Sequence, residues 1–211
     1  MQVGQDVVAE LRGLGIRNTG TLTMTNSTVS ENLAESAGGG IHNKLNGIVT
    51  LTDSTVSGNS AQTGRSIYSA GGQSRLTLTS STVSAALGFG DSIYSVAQTV
   101  TARGILMRGG CDGALESGGG NLESPSNSCG FDQETDQHSV SAEALQLGPL
   151  ADNGGATRTH ALLPDSVAID VIPESDCVDP TGEPLVTDQR GQPRPETGAT
   201  MCDVGAFELQ P

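Results

Sequence analysis

The sequence has few aromatic residues and no long apolar segment. Its 211 residues contain no Trp, three Phe and two Tyr, which leaves few rings on which bases or sugars could stack. No run of eighteen apolar residues occurs, so the sequence predicts no transmembrane helix and no insertion of this chain into a membrane.

Basic residues are also scarce. Ten Lys and Arg stand against 24 Asp and Glu, for a formal net charge of −14. A surface of that sign repels nucleic acid, so we expect no nucleic-acid partner. Gly, Ser and Thr are abundant and strong helix formers are few, which argues against a helical bundle.

Charge and cysteine divide the chain near residue 100. Residues 1–99 carry six acids and five bases, whereas residues 100–211 carry eighteen acids and five bases. All four Cys residues lie in the second part. An even number of Cys residues in a loop-rich, acidic segment predicts disulfides and an oxidising compartment.

Four Cys residues allow three pairings. We expect the two sequence-local pairs, Cys111–Cys129 and Cys177–Cys202, each closing a loop of roughly 20–25 residues worth about 3 kcal/mol. Four reduced structural thiols are the alternative. A zinc site is disfavoured because the chain has no Cys-x-x-Cys or Cys–His spacing of the usual kind.

Two markers recur along the first half of the chain. The segments TLTMTNSTVS, IVTLTDSTVS and RLTLTSSTVS begin at Thr21, Ile48 and Arg75, 27 residues apart. A second marker recurs at steps of 25 or 26 residues. Its isoleucines are Ile16, Ile41, Ile67 and Ile93. Two markers at one period indicate a solenoid.

The local pattern indicates which solenoid forms. Apolar residues alternate with Thr in each repeat, which predicts half-buried strands. A period of about 26 residues fits three short strands and three turns per coil. We therefore expect an all-β protein, a right-handed parallel β-helix over residues 14–110. Residues 1–13 would form a lead-in or cap, and residues 111–211 further coils and a loop-rich, disulfide-braced cap.

Stacking one coil on the next assigns residues to faces. The predicted inward columns are Leu22/Val49/Leu76, Met24/Leu51/Leu78, Val29/Val56/Val83 and Ile16/Ile41/Ile67/Ile93. The predicted exposed ladders are Thr23/Thr50/Thr77, Thr25/Thr52/Thr79 and Arg17/His42/Tyr68/Tyr94. Burying each inward side chain is worth about 1.5–3 kcal/mol, so the columns should dominate stability.

Motifs in the second half resemble a known family. The runs LGPLADNGG (147–155), TRTHALLPDSVAID (157–170), DQRGQPRP (188–195) and CDVGAFE (202–208) look like the choice-of-anchor Q domain. That domain ends right-handed β-helix proteins exported by bacteria. The upstream runs GGGIHN (38–43) and STVSGNSA (54–61) are similar to repeats of polymorphic outer-membrane proteins.

The resemblance implies a surface-exposed structural module that precedes a variable cell-envelope anchor, with no catalytic residues to carry over. Ala156 stands where the family usually has Pro, and 165–167 where it has Gly-Ser-Pro; both look like turn changes. No signal peptide is visible in Met1–Leu11 and no anchor precedes Pro211. If the disulfides form, we expect the chain to be a piece of a longer exported protein.

Three groups of polar residues are weaker candidates for sites. Oxygen-rich turns at Asp152, Asn153, Asp176 and Asp179 suit calcium, although solvated acidic loops are the simpler interpretation. No other cofactor is expected.

A second group has the residue types of a hydrolase triad. These residues are His160, Ser166 and Asp170, but no nucleophile-elbow motif accompanies them, so turn or cap roles are favoured.

The third group consists of two arginines. We expect Arg158 and Arg190 to pair with carboxylates. The carboxylates considered are Asp170, Asp188 and Asp203.

Taken together, these features predict a non-catalytic, extracellular structural or adhesion-type surface module. Its expected partners are cell-surface glycans or proteins. The alternative is a carbohydrate-binding or carbohydrate-cleaving β-helix protein, since that fold hosts such chemistry. A remoter alternative is ice binding by the Thr-x-Thr ladders, although Thr is also simply a good strand residue.

Overall fold

The computed structural model describes residues 10–11, 15–85, 91–113 and 115–211, with the backbone alone at 10–11 and 97–98. Short parallel strands wind into stacked coils. The coil strands are β1 (Glu10–Leu11), β2 (Ile16–Asn18), β3 (Thr21–Thr25), β4 (Thr28–Ser30), β5 (Ile41–Lys44), β6 (Ile48–Thr52), β7 (Thr55–Ser57), β8 (Ile67–Thr79), β9 (Thr82–Ser84), β10 (Asp91–Arg103), β11 (Leu106–Arg108), β12 (Gly110–Asp112), β13 (Glu116–Ser117) and β14 (Leu122–Ser124).

These strands form two parallel sheets. The six-stranded sheet has the order β1-β4-β7-β9-β11-β14. The eight-stranded sheet has the order β12-β10-β8-β5-β2, with β3 on β6, β6 on β8, and β13 on β10. Every neighbouring pair in both sheets is parallel, which confirms the predicted parallel β-helix.

The strand registers confirm the predicted inward columns. Val29 pairs with Val56 and Val56 with Val83, and all three side chains are at most 1% exposed. The isoleucine column is likewise in register from Ile16 to Ile93. Apolar side chains one coil apart therefore stack along the axis, and this column packing forms the main core.

The turns between strands are held by ladders of buried polar side chains. Asn18 Nδ2 donates to Asn43 Oδ1 over 2.9 Å, and Asn32 Nδ2 donates to Asn59 Oδ1 over 2.9 Å. These asparagines are at most 7% exposed. A buried polar group must be hydrogen-bonded, so stacking like on like satisfies each turn from the next coil.

The coils shorten and close at the C-terminal end of the solenoid. Ile93 pairs with Cys111 and Met107 pairs with Glu123, so Glu123 continues the valine column. Its fully buried carboxylate accepts hydrogen bonds from the backbone N–H and hydroxyl of Ser128 and from the N–H of Cys129. The Cys111–Cys129 disulfide fastens the same turn. A carboxylate thus ends the apolar column by binding the N–H groups of the closing turn.

Residues 141–211, here called the tail, lie along the flank of the coils. The tail contains α1 (Ala142–Leu145), β15 (Leu147–Ala151), β16 (Thr159–Leu162), β17 (Ile172–Pro173), a 3-10 helix (Glu174–Asp176) and β18 (Met201–Cys202). β15 pairs antiparallel with β16, and β17 with β18. Leu106 and Leu122 of the six-stranded sheet share a second apolar core with the tail residues Leu162, Ile172 and Phe207.

Helical structure in the described residues is confined to these two short tail segments. None of the described helices has the length and apolar character needed to cross a membrane.

We predict that Val56→Asp abolishes cooperative folding. The change places an unpaired charge in a column that is 1% exposed at this position, and leaving a buried charge uncompensated costs about 3–5 kcal/mol. Urea unfolding followed by circular dichroism measures the loss.

Thr50→Asp is the matched control, because Thr50 lies on the outer side of the same coil and is half-buried. It should change the free energy of unfolding far less. Equal losses of unfolding free energy in the two variants would contradict the assignment of Val56 to the apolar core.

Candidate functional site

The two predicted Thr ladders differ in solvent exposure. Thr23 is exposed and Thr50 and Thr77 are half-buried, in register on the outer side of the eight-stranded sheet. The prediction that Thr52 and Thr79 are exposed is wrong, because they are only 7% and 3% exposed. The adjacent Asp53 is paired with the tail, and Thr79 lines a groove together with the tail loop 178–182. The tail packs beside this second ladder.

This correction changes the surface that the coils present. A single Thr column remains open, and it continues from Thr77 to Thr101 and then Glu116 in register. The two-column Thr-x-Thr array on which the ice-binding alternative was based is therefore not formed.

The aromatic ladder forms as predicted from the coil register. His42, Tyr68 and Tyr94 are half-buried neighbours on adjacent strands. The Tyr68 and Tyr94 rings are parallel, with centroids 5.0 Å apart, and His42 meets Tyr68 edge-on at 4.8 Å. Burial, followed by the charges of Lys44 and Arg17, lowers the pKa of His42. Because the tyrosine faces cover each other, the ladder presents ring edges, which are poor platforms for sugar rings.

The calcium candidates occupy separate tail turns. Asp152 Oδ1 accepts the Gly154 N–H, and Asn153 Nδ2 donates to Thr159. Asp179 Oδ1 accepts three hydrogen bonds within its own turn, from Thr181 and Glu183. Within the described ranges, no three His, Cys, Asp or Glu side chains are grouped as metal ligands would be.

The residues of the hydrolase-triad type are not brought together as a triad. His160 Nδ1 bonds the Gly148 carbonyl over 2.7 Å, and its Nε2 bonds Ser57 Oγ over 2.7 Å. Since a carbonyl only accepts, Nδ1 carries the proton and Nε2 accepts from Ser57. Ser166 Oγ donates to the Leu145 carbonyl. Burial lowers the pKa of His160, so a neutral His160 joins the tail to the coils.

The tail bonds the outward hydroxyls of the STVS repeats. Thr55 Oγ1 donates to Gln189 Oε1 over 2.7 Å, and Gln189 Nε2 donates to Thr28 Oγ1 over 2.8 Å. Thr82 Oγ1 accepts from the Ala206 N–H over 3.0 Å. The column Thr28/Thr55/Thr82 is here called the covered face. The tail runs across three coils and uses these hydroxyls as its anchoring points.

Arg194 makes a buried ionic contact between tail and coils. Its guanidinium bonds Asp53 Oδ1 over 2.9 Å, Glu208 Oε2 over 3.0 Å and the Gly205 carbonyl over 2.8 Å. The side chains of the three ionic partners are at most 3% exposed. We call Arg194, Asp53 and Glu208 the tail lock.

The sequence interpretation missed the tail lock, although Arg194 lies in the DQRGQPRP motif. The available sequence signal was the scarcity of cations among many acids, which predicts that a given arginine is paired with a carboxylate when it is buried. Of the two arginines singled out, Arg190 bonds Asp188 over 2.8 Å, as predicted, and lies over the Phe207 ring. Arg158 pairs with Glu31 over 3.2 Å, which was not among the carboxylates considered.

The tail lock holds one cation against two buried carboxylates. Burial raises the pKa of Asp53 to about 7, opposed by Arg194 and reinforced by Asp188. Burial also raises the pKa of Glu208 to about 7, opposed by Arg194 and reinforced by Asp203. Because one guanidinium cannot neutralise both charges, the cluster favours holding a proton near neutral pH.

A groove of about 530 Å³ opens where the tail meets the eight-stranded sheet. The Thr column, Arg103 and Glu116 line the sheet side, and the loop 178–182 forms the opposite wall. The Cys177–Cys202 disulfide lies at the base of this wall. The groove is open to solvent and lies at the edge of the tail, beside the uncovered part of the eight-stranded sheet.

A scan against family models, a search of curated proteins and a search of solved structures each find no match to this chain. The resemblance to the choice-of-anchor Q domain therefore rests on the motifs quoted above. Several of their residues, namely His160, Gln189, Arg194 and Glu208, are tail residues that fasten the tail.

We predict that Arg194→Met lowers the free energy of unfolding by about 3–5 kcal/mol, because it leaves two buried carboxylates without their cation. Thermal or urea unfolding measures the loss, and limited proteolysis should cut the tail earlier than in the wild type. Arg75→Met is the control, since Arg75 is exposed on β8. Unchanged stability of Arg194→Met would contradict the tail lock.

We also predict that the protein loses stability as the pH rises through 7. Asp53 and Glu208 each have a pKa of about 7 in the folded protein. Near neutral pH they therefore hold protons that the unfolded chain, in which both carboxyl groups have their ordinary lower pKa values, has already released. The stability from this proton uptake is complete below about pH 4 and is lost as the pH rises through the folded pKa. Unfolding measured from about pH 6.5 to about pH 8.5 tests this. The contribution of His160, whose unfolded-state pKa of about 6.5 lies at the start of this range, is common to the wild type and to the variants compared with it.

Asp53→Asn should flatten that pH dependence, since it removes one carboxylate while keeping an acceptor for Arg194. Asp152→Asn, at an exposed position, should retain the wild-type slope. A slope in Asp53→Asn as steep as that of the wild type would show that the cluster does not titrate in this range.

Proposed function

We propose that this chain is a non-catalytic, extracellular structural module of a bacterial exported protein, of the adhesion type. The observation that carries the proposal is the fastening of the tail across the coils. The tail lock, the covered face and the Ser57–His160 bond join segments more than 100 residues apart. Such cross-links suit a rigid element that displays its remaining open face.

Two further features support an extracellular place. Both disulfides are present, and the described cysteines include no free thiol. Disulfides persist in oxidising compartments such as the periplasm and the cell exterior. The resemblance to the choice-of-anchor Q domain points the same way, toward a module carried on the bacterial envelope.

A carbohydrate-binding role is the second candidate, and the groove beside the Thr column favours it. The groove brings an arginine and carboxylates together on the open face of the coils. Fold likeness alone does not assign such a role, so the assignment depends on the chemistry of the groove.

The non-catalytic role is tested by incubating the purified chain with neutral and acidic polysaccharides. We expect neither new reducing ends nor unsaturated products above a heat-inactivated control. Reproducible turnover that scales with protein concentration would overturn the non-catalytic assignment.

We predict that the double variant Cys177→Ser/Cys202→Ser loses about 3 kcal/mol of stability, because the disulfide closes a loop between residues 25 apart. Urea unfolding of oxidised wild type and of the variant measures the difference. Wild-type protein prepared in an oxidising compartment should show no reactive thiol when denatured. Reactive thiols in that preparation would contradict the proposed extracellular place.

A further inference from the structure

The groove between the sheet and the loop 178–182 has a floor of regularly spaced hydroxyls. Thr77 and Thr101 are in register on β8 and β10, and their Oγ1 atoms lie 3.4 Å apart. The same column extends to Thr50 beyond the groove and to Glu116 at its other end. Adjacent parallel strands lie about 4.8 Å apart, so the floor offers one polar group per coil along the solenoid axis.

Arg103 supplies an unused cation at the side of this floor. It is half-buried, and no group in the described part of the chain accepts a hydrogen bond from its guanidinium. It occupies the register position that Thr79 holds in the preceding coil. A Cβ at Gly118 would lie 3.2 Å from Arg103 Nε, so the glycine leaves space for the side chain. A guanidinium carries five N–H donors in a fixed plane, and no described group accepts a hydrogen bond from those of Arg103.

The opposite wall of the groove is held in shape by its own hydrogen bonds. Asp179 Oδ1 accepts from the backbone N–H and hydroxyl of Thr181, at 2.7 Å each, and from the Glu183 N–H at 3.0 Å. The Thr181 hydroxyl is the main cause of the lowered pKa of Asp179. Cys177, which precedes the loop, is disulfide-bonded to Cys202 in β18. The wall is thus fixed and carries an ionised carboxylate.

The groove mixes donors and acceptors and has little net charge to attract an anion. Arg103 and the Thr hydroxyls donate, while Glu116 and Asp179 accept. Two carboxylates against one guanidinium, on a chain of net charge −14, disfavour a polyanionic ligand. Its lining residues include no aromatic ring, so recognition must come from hydrogen bonds. Hydroxyl groups that both donate and accept match this lining.

We propose that the groove binds a segment of a neutral glycan that lies along the solenoid axis, with Arg103 donating hydrogen bonds to its hydroxyl groups and Thr77 donating to or accepting from them. The inference deepens the proposed adhesive role and rests on it, since it names the chemistry that the open face would recognise.

The test is a binding titration with soluble neutral polysaccharides, namely dextran, galactomannan, arabinoxylan and mixed-linkage β-glucan, and with polygalacturonate as the acidic comparison. We expect at least one neutral probe to bind and to shift the backbone NMR signals of 77–79, 101–103 and 178–182. Polygalacturonate should bind more weakly than that probe.

Arg103→Ala should weaken binding by about tenfold or more, the loss expected for hydrogen bonds to a charged group. Thr77→Val, which keeps the side-chain shape, should weaken it less. Arg75→Ala and Thr23→Val remove the same groups from the same sheet outside the groove and should bind as the wild type does. Circular dichroism confirms that each variant is folded.

The proposal is overturned if no neutral probe binds, if polygalacturonate binds best, or if Arg103→Ala and Thr77→Val both bind as tightly as their controls. These outcomes are separate from a failure of the non-catalytic role. New reducing ends during the titration would overturn that role and leave the binding groove in place, whereas absence of both binding and turnover would overturn the groove alone.

Discussion

The arrangement depends on one buried guanidinium shared between the coils and the tail. Arg194 bonds Asp53, at a turn of the second repeat, and Glu208, near the end of the tail. A carboxylate buried without its cation is costly, so these three groups must stay together for the tail to lie flat. That constraint sets which face of the solenoid is covered and which stays open.

The repeat itself supplies both surfaces that the tail needs. In each STVS segment the valine points into the core, while the flanking Thr and Ser point outward. Because successive side chains of a strand point to opposite faces, each segment provides apolar packing inside and a row of hydroxyls outside. The tail bonds these hydroxyls through Gln189, His160 and Ala206. The covered face is therefore a polar interface built on an apolar column.

Covering one sheet leaves the Thr column of the eight-stranded sheet open. Its Thr column is open near Thr23 and becomes the floor of the groove where the loop 178–182 rises beside it. Neither the coils nor the tail form this groove alone. Its wall is joined through Cys177 to β18, and β18 pairs with β17, which packs on the second core. The proposed binding surface and the rigidity of the tail consequently have the same origin.

The sequence by itself determined the coils, because columns such as Val29/Val56/Val83 require only a period and an alternation, and both are local. It also favoured the two disulfides that form, since sequence-local pairs close short loops. The tertiary structure decided the burial of Thr52 and Thr79, the partner of Arg158, and the groove around Arg103. Each depends on where the tail, distant in sequence from the coils it contacts, comes to lie, and no periodic pattern encodes that. Docking is decided by scattered hydroxyls and by a cation that must find two particular carboxylates, so it can be read only once the chain is folded.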